Sequence, residues 1–286
     1  MTSPTGAGAA ALPTLAALHD RGVPIVMLTA YDHPSARVAQ EAGVDVVLVG
    51  DSAAMVVLGY TSTREITVDE LLMLTRAVRR GVTGIPIVGD LPYGSYEEGD
   101  AQAVRTARRF MDEGGCDAVK LEGAREMLPR VRAIVAAGIP VVGHVGLLPQ
   151  SVTSAEGYRA QGRDADQALA IIGDAEALVG AGCAALVVEA VPGDVAAVIS
   201  ARSPVPVIGI GAGASTHGQV LVYHDLLGLG DGRVARFVRQ YAHGRADQVD
   251  AVRRWAADVR AGRFPSEAEG YGIAPEVMAE VRQRLG

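Results

Sequence analysis

Lysine is almost missing from this chain of 286 residues: 25 of its 26 basic residues are arginine, and the exception is Lys120. Arginine serves here even for ordinary surface charge, so the single lysine calls for a chemical reason. Arg keeps its proton and offers a planar fork, whereas Lys is a compact ammonium with a tunable pKa. Cysteine is scarce too. Cys116 and Cys183 are too few for a disulfide framework, and each follows glycine ahead of an apolar run, the setting of a buried thiol. Positive charge does not dominate: the formal net charge of -7 argues against nucleic acid as a partner. The arginine clusters at 76–80, 105–109 and 253–254 recur at helical spacing, as solvated helix faces do. No apolar stretch reaches the roughly 18 residues that span a bilayer, so no membrane partner is expected. The opening MTSPTGAGAAAL lacks the basic start of a signal peptide and reads as a loose tail, which makes the cytoplasm the expected location. Disorder is excluded, since 49% of the residues are hydrophobic, ample for a core.

What the chain has instead is repetition. A glycine turn, a β-branched apolar run and then a polar residue recur in AGVDVVLVGDS (42–52), GGCDAVKLEG (114–123), AGIPVVGHVG (137–146) and AGCAALVVEAVP (181–192). Related runs without the leading turn are VPIVMLTAYD (23–32), IPIVGDLP (85–92), PVPVIGIGAG (204–213) and QVLVYHD (219–225). Eight short, nearly continuous apolar runs are the pattern of strands buried on both faces of a parallel sheet. Between them, residues 67–80, 98–113, 124–137 and 164–181 read as helices with Gly at or just past their ends. This alternation predicts an α/β protein, a (β/α)8 TIM barrel, with an open doubly wound sheet as the alternative. The connection between the seventh and eighth runs is too short for a full helix. The Gly-, Gln- and Ser-rich stretch 146–163 reads as a functional loop after the fifth strand. The expected layout is a tail and lead-in over 1–20, the barrel over 21–245, and a C-terminal helical extension of the same domain over 246–286. Helices are expected there near 247–261 and after Pro275.

In such a barrel the chemistry sits at the C-terminal ends of the strands. Those ends carry Tyr31 and Asp32, Asp51 and Ser52, Asp90, Lys120 and Glu122, His144, Glu189, Gly211 and Gly213, and His224 and Asp225. Side chains alternate along a strand, so Lys120 and Glu122 share a face. Asp51, Asp90 and Glu122 would bring three carboxylates into one mouth, where a hard divalent cation relieves their repulsion. All-oxygen ligation suits Mg2+; the opposing reading is that each acid caps a helix or pairs with arginine. GIGAGAS (209–215) follows a strand, but the next run starts too soon for the helix of a dinucleotide-binding unit, so it reads as a tight loop at the mouth.

LVGDSAAMVVLGYTST (48–63), GDLPYGSY (89–96), VKLEG (119–123), GHVGLLPQS (143–151), VVEAVP (187–192), PVIGIGAG (206–213) and VYHDLLGL (222–229) resemble, in order, the motifs of the ketopantoate hydroxymethyltransferase (3-methyl-2-oxobutanoate hydroxymethyltransferase) family. The resemblance runs from about residue 20 to 265 and implies a (β/α)8 barrel. It implies hydroxymethyl transfer from 5,10-methylenetetrahydrofolate to 3-methyl-2-oxobutanoate, giving ketopantoate for coenzyme A synthesis. Carried over by motif, Asp51, Asp90 and Glu122 would hold Mg2+, Asp51, Ser52, Asp90 and Lys120 would contact the oxo acid, and Glu189 would be the general base. A homo-oligomer, a decamer, is implied as well. Ala53-Ala54 stand where the family usually shows Leu-Gly, and the tail from about Glu267 to Gly286 runs past the family's usual end. His144 reads equally as a positioning group and as a structural histidine. Three rival readings remain at this stage: a Schiff-base aldolase using Lys120 as nucleophile, a magnesium-dependent oxo-acid carbon–carbon lyase, and a non-catalytic oxo-acid-binding barrel.

Overall fold

Strands buried on both faces need apolar side chains at nearly every position, and most of the eight runs supply them, the first and last exposing Val26 and Gln219. In the computed structural model, which describes residues 15–152, 158–230, 232 and 234–286, each run becomes a strand. They are β1 (Ile25–Thr29), β2 (Val46–Val49), β3 (Ile87–Asp90), β4 (Ala118–Glu122), β5 (Val141–Gly146), β6 (Ala185–Glu189), β7 (Val207–Ile210) and β8 (Gly218–Leu221). All neighbours pair in parallel, and β8 pairs with β1, so the sheet closes and the open alternative is excluded. Among the described residues, six helices of nine or more residues lie between the strands: α1 (His33–Glu41), α2 (Val68–Gly81), α3 (Asp100–Asp112), α4 (Leu128–Ala136), α5 (Ala165–Gly180) and α6 (Gly193–Arg202). Their starts follow local chemistry. Thr67 opens α2 in a capping box with Glu70, Asp164 caps α5, and Pro129 in the first turn of α4 sets that helix going only after a 3-10 turn over Arg125–Met127.

Two of the expected strand ends are corrected. β8 stops at Leu221 because its partner β1 stops at Thr29, whose Oγ1 accepts the Tyr223 N–H at 2.8 Å. His224 and Asp225 therefore lie on a one-turn helix, Tyr223–Leu226, past the strand. Asp32 also lies past its strand and caps α1, accepting the Ser35 N–H at 2.7 Å.

Alternation sorts the side chains into two cores. Ile25, Met27, Val46, Leu48, Val88, Ala118, Val142, Ala185, Val187, Ile208 and Val220 fill the barrel, while Val47, Val49, Ile87, Val119, Leu121, Val141, Leu186, Val188 and Val207 face the helices. Leu15 and Leu18, on a helical stretch over 15–20, join the inner core. The lead-in is thus part of the packing; the tail before it lies outside the described residues, as does 153–157 of the loop after β5. The chain divides into two compact units, one running to Leu226 and including Gly232–Arg239, the other made of Leu227–Asp231 and Gln240–Gly286. The second unit holds α7 (Gly244–Arg260) and α8 (Pro275–Leu285), neither with a buried residue. No described helix is long and apolar enough to cross a membrane.

Candidate active site

The inner face of the barrel changes character toward the C-terminal ends of the strands. On β3 the inward sequence is Val88 then Asp90; on β4, Ala118, Lys120, Glu122; on β5, Val142 then His144; on β6, Val187 then Glu189. The period of two that buries the apolar layers also delivers these polar groups to one end. Register then chooses the neighbours, setting Asp90 beside Lys120 and Glu122 beside His144. Gly146 is opposite Glu189, at a φ of 95°, and a Cβ there would meet the Glu189 carbonyl at 2.3 Å. Only glycine permits that approach, which closes β5 onto the strand end carrying Glu189.

The result is a continuous buried chain of charge. Lys120 Nζ donates to Asp90 Oδ1 at 2.7 Å and lies 3.9 Å from Glu122 Oε1. Asp90 Oδ2 accepts the Asp51 N–H at 3.2 Å. His144 bridges two acids, with Nδ1 3.4 Å from Glu122 Oε1 and Nε2 3.3 Å from Glu189 Oε2. Asp90 is 1% exposed and Lys120 4%, so little water screens these charges. Ser52 Oγ lies 2.9 Å from the hydroxyl of buried Tyr31. The structure thus brings together Asp51, Asp90, Lys120, Glu122, His144 and Glu189, with Ser52 following Asp51 in the chain. His224 meets Tyr223 edge to face and lies tilted against Tyr31, its ring centroid 5.5 Å from that of Tyr31.

Burial, then the charges of Asp90 and Glu122, push the Asp51 carboxyl well above the usual carboxylate range. Asp90 is also raised, burial outweighing the Lys120 ammonium beside it. Burial acts upward on Glu122 as well, but His144, Lys120 and the Gln150 N–H together hold it below its ordinary value. Lys120 is pulled down by burial and pushed up more strongly by Asp90, Glu122 and Asp51, so it stays an ammonium. Burial and Lys120 lower His144, yet the two carboxylates on its ring nitrogens win and bring it to about 9. At neutral pH the imidazole is therefore charged.

Four carboxyl groups face one ammonium and one imidazolium, and two of the acids are reluctant to ionise together. A divalent cation removes that imbalance, and oxygen donors suit a hard one. Glu122 Oε1 is buried and receives no hydrogen bond; the His144 and Lys120 cations stand near it, at 3.4 and 3.9 Å, and it keeps lone-pair capacity for an ion. Asp90 Oδ1 is engaged by Lys120 and Glu122 Oε2 by Gln150, and among the described residues no three His, Cys, Asp or Glu side chains form a finished ion cage. The donor set fits Mg2+ by charge and chemistry.

Comparison with known proteins decides the family. The description "Ketopantoate hydroxymethyltransferase" matches residues 9–267. The chain belongs to that family. It is 51% identical over 260 residues to the 3-methyl-2-oxobutanoate hydroxymethyltransferase of Moorella thermoacetica, covering 91% of this chain and 97% of that one. The protein of the same name from Geobacillus kaustophilus is 50% identical over 255 residues, covering 89% and 91%. Among solved structures, the phosphoenolpyruvate phosphomutase from Streptomyces platensis subsp. rosaceus shares the fold, with a TM-score of 0.60, 20% identity, and 97% and 96% of the two chains covered. Helix α8 lies beyond the segment matched to the ketopantoate hydroxymethyltransferase family.

Two buried residues of the site escape a reading by strand ends, Tyr96 and Gln150. Gln150 lies on the 3-10 turn Pro149–Ser151 after β5, and Tyr96 on the segment between β3 and α3. The only sequence signal for them is that each lies inside a stretch resembling a motif of the ketopantoate hydroxymethyltransferase family, GDLPYGSY and GHVGLLPQS. GIGAGAS makes a tight turn, with φ of 62° at Gly211 and 78° at Gly213, and no helix follows before β8.

Proposed function

We propose that this chain transfers a hydroxymethyl group from 5,10-methylenetetrahydrofolate to 3-methyl-2-oxobutanoate, giving ketopantoate for pantothenate and coenzyme A synthesis. Asp51, Asp90 and Glu122 would hold a resident Mg2+, and Asp51, Ser52, Asp90 and Lys120 would contact the oxo acid. The observation that carries the reading is the buried run Asp90–Lys120–Glu122–His144–Glu189 at one end of the barrel, in a chain of this family. When bound, the cation supplies Lewis-acid polarisation of the keto oxygen. Lys120, fixed as an ammonium, sets positive charge where oxyanion character develops. Glu189, at the open end of β6, takes the C3 proton, and the electron pair left on C3 forms the bond to the one-carbon unit as its two bonds to folate nitrogens break. One water supplies the hydroxyl, and the C3 proton and the remaining water proton end on those nitrogens, so tetrahydrofolate leaves. The charged ring of His144 stands beside Glu189 Oε2 and orients that carboxylate.

The test is ketopantoate formation with Mg2+, 3-methyl-2-oxobutanoate and methylenetetrahydrofolate, each omitted in turn. Product is expected only in the complete mixture; turnover of an oxo acid without folate would favour the carbon–carbon lyase reading instead. The Schiff-base reading is opposed by the held charge on Lys120, because only a neutral amine attacks a carbonyl. Borohydride added with oxo acid is therefore expected to leave no adduct, and a mass increase localised to Lys120 would reverse this assignment. The reading further includes the cytoplasm as location and a homo-oligomer, a decamer as the family resemblance implies. What supports association is exposed apolar surface on the second unit, with Val252, Trp255 and Leu285 more than half exposed. A light-scattering mass of a single chain would overturn it.

A further inference from the structure

Gln150, past the end of β5, ties together groups from the ends of the three preceding strands. Its backbone N–H donates to Glu122 Oε2 at 2.9 Å. Its side-chain Nε2 donates to Asp51 Oδ2 and to the Leu91 carbonyl, both at 2.9 Å. Its Oε1 accepts the Tyr96 hydroxyl at 2.6 Å. That hydroxyl also stands 3.3 Å from both the N–H and the carbonyl of Glu122. The Leu91 carbonyl only accepts, which fixes Nε2 on that side and leaves Oε1 to take the hydrogen of Tyr96. Both side chains are buried, at 2% exposure.

Packing alone does not call for this arrangement. A methionine would fill the same volume without burying an amide, and a buried polar group is tolerated only when each partner is satisfied. Every bond that Gln150 makes from its N–H groups, the Leu91 carbonyl apart, ends on a carboxylate of the candidate metal site. Two oxygens are thereby occupied, Oδ2 of Asp51 and Oε2 of Glu122. The other Glu122 oxygen, Oε1, accepts no hydrogen bond and lies at ion-pair distance from Lys120 and His144. Groups that bond to ligands in this way fix which oxygen faces a metal and the angle it presents.

We propose that Gln150, clamped by Tyr96, is a positioning residue that orients Asp51 and Glu122 toward the resident divalent cation. The proposal rests on the Mg2+ reading above and adds that the Pro149–Ser151 turn after β5 shapes the metal site through Gln150. The experiment measures Mg2+ binding by calorimetry on the whole protein, together with melting in chelator and kcat and KM for the oxo acid. The variants are Gln150→Met, Tyr96→Phe and Thr106→Val. Thr106 donates from Oγ1 to the Ser95 carbonyl at 2.7 Å, a buried bond next to Tyr96 that does not touch a carboxylate, so it reports a purely structural loss.

Gln150→Met is expected to weaken Mg2+ binding by about 10- to 100-fold and to lower kcat at saturating Mg2+ more than it changes KM. Tyr96→Phe, which frees the amide to rotate, is expected to act in the same direction with a smaller loss. Thr106→Val is expected to melt earlier and bind Mg2+ as wild type does. If Gln150→Met does not fold, Tyr96→Phe decides alone. Variants at 150 and 96 that melt earlier yet bind Mg2+ as tightly as wild type would overturn the proposal while leaving the metal reading intact. A wild-type protein that binds no Mg2+ would overturn both.

Discussion

Glu189→Gln is expected to slow exchange of the C3 proton of 3-methyl-2-oxobutanoate by at least about 10²-fold while leaving affinity for the oxo acid nearly unchanged. Glutamine keeps the length and the hydrogen-bonding oxygen of the side chain, but it has no basic oxygen to take a proton. Glu189 is the most open acid of the buried run, its side chain 15% exposed against 3% for Glu122. It also stands clear of Lys120, which engages Asp90 and Glu122. The proton must leave before any carbon–carbon bond forms, so this half-reaction needs no folate. Proton NMR of the oxo acid in heavy water, with enzyme and Mg2+, reads it directly. The same substitution removes one of the two carboxylates holding His144 up, so the imidazole should titrate below about 9, toward its ordinary value. Exchange in the variant as fast as in wild type would assign the base to another residue.

Lys120→Met should be costly both to the fold and to turnover. The thioether fits the space of the lysine stem but leaves Asp90 without its partner at 2.7 Å and Glu122 without the charge at 3.9 Å. Breaking a buried ion pair by removing one member costs about 3–5 kcal/mol, because the remaining charge is stranded away from water. The sign with pH follows from the carboxyls left behind. Asp51 and Asp90 already titrate above their ordinary range, with Lys120 opposing the rise. Without it the folded carboxyls keep their protons to higher pH, while the unfolded chain releases them near about 4. The unfolded state then binds fewer protons, and stability falls as pH rises from about 4 toward neutral. The deficit against wild type is thus expected to be smallest in acid and to grow toward pH 7, read by urea unfolding in chelator. Turnover should drop by about 10²- to 10³-fold, the usual loss when one preorganised charge beside a developing oxyanion is removed. Equal stability of the two proteins from pH 4 to 7 would show that Lys120 does not neutralise this cluster.

The charged groups of the site were legible because they obey strand periodicity. Lys120 and Glu122 share a face by counting, and Asp51, Asp90, His144 and Glu189 fall just where their apolar runs end. His224 and Asp225 follow the same rule on paper and fail it. Their strand is cut short by the length of its partner, a property of β1 rather than of their own segment. Asp32 reads in the sequence as a strand-end acid, and only the structure shows it as the cap of α1, because a carboxylate after a strand and a carboxylate before a helix occupy the same position in the chain.

By itself, then, the sequence determined the eight strands, the inward set of polar residues and the family, because each is written in local spacing or in contiguous motifs. Tertiary structure decided the partners. Register across β3 and β4 gave Lys120 to Asp90, and register across β4 and β5 gave His144 to Glu122. Barrel closure fixed where β8 ends. Gln150 reaches Asp51 across 99 positions of chain and Tyr96 across 54. A hydrogen bond has a reach of about 3 Å and an angle, and no spacing along a sequence encodes either once the chain has turned back on itself through a loop.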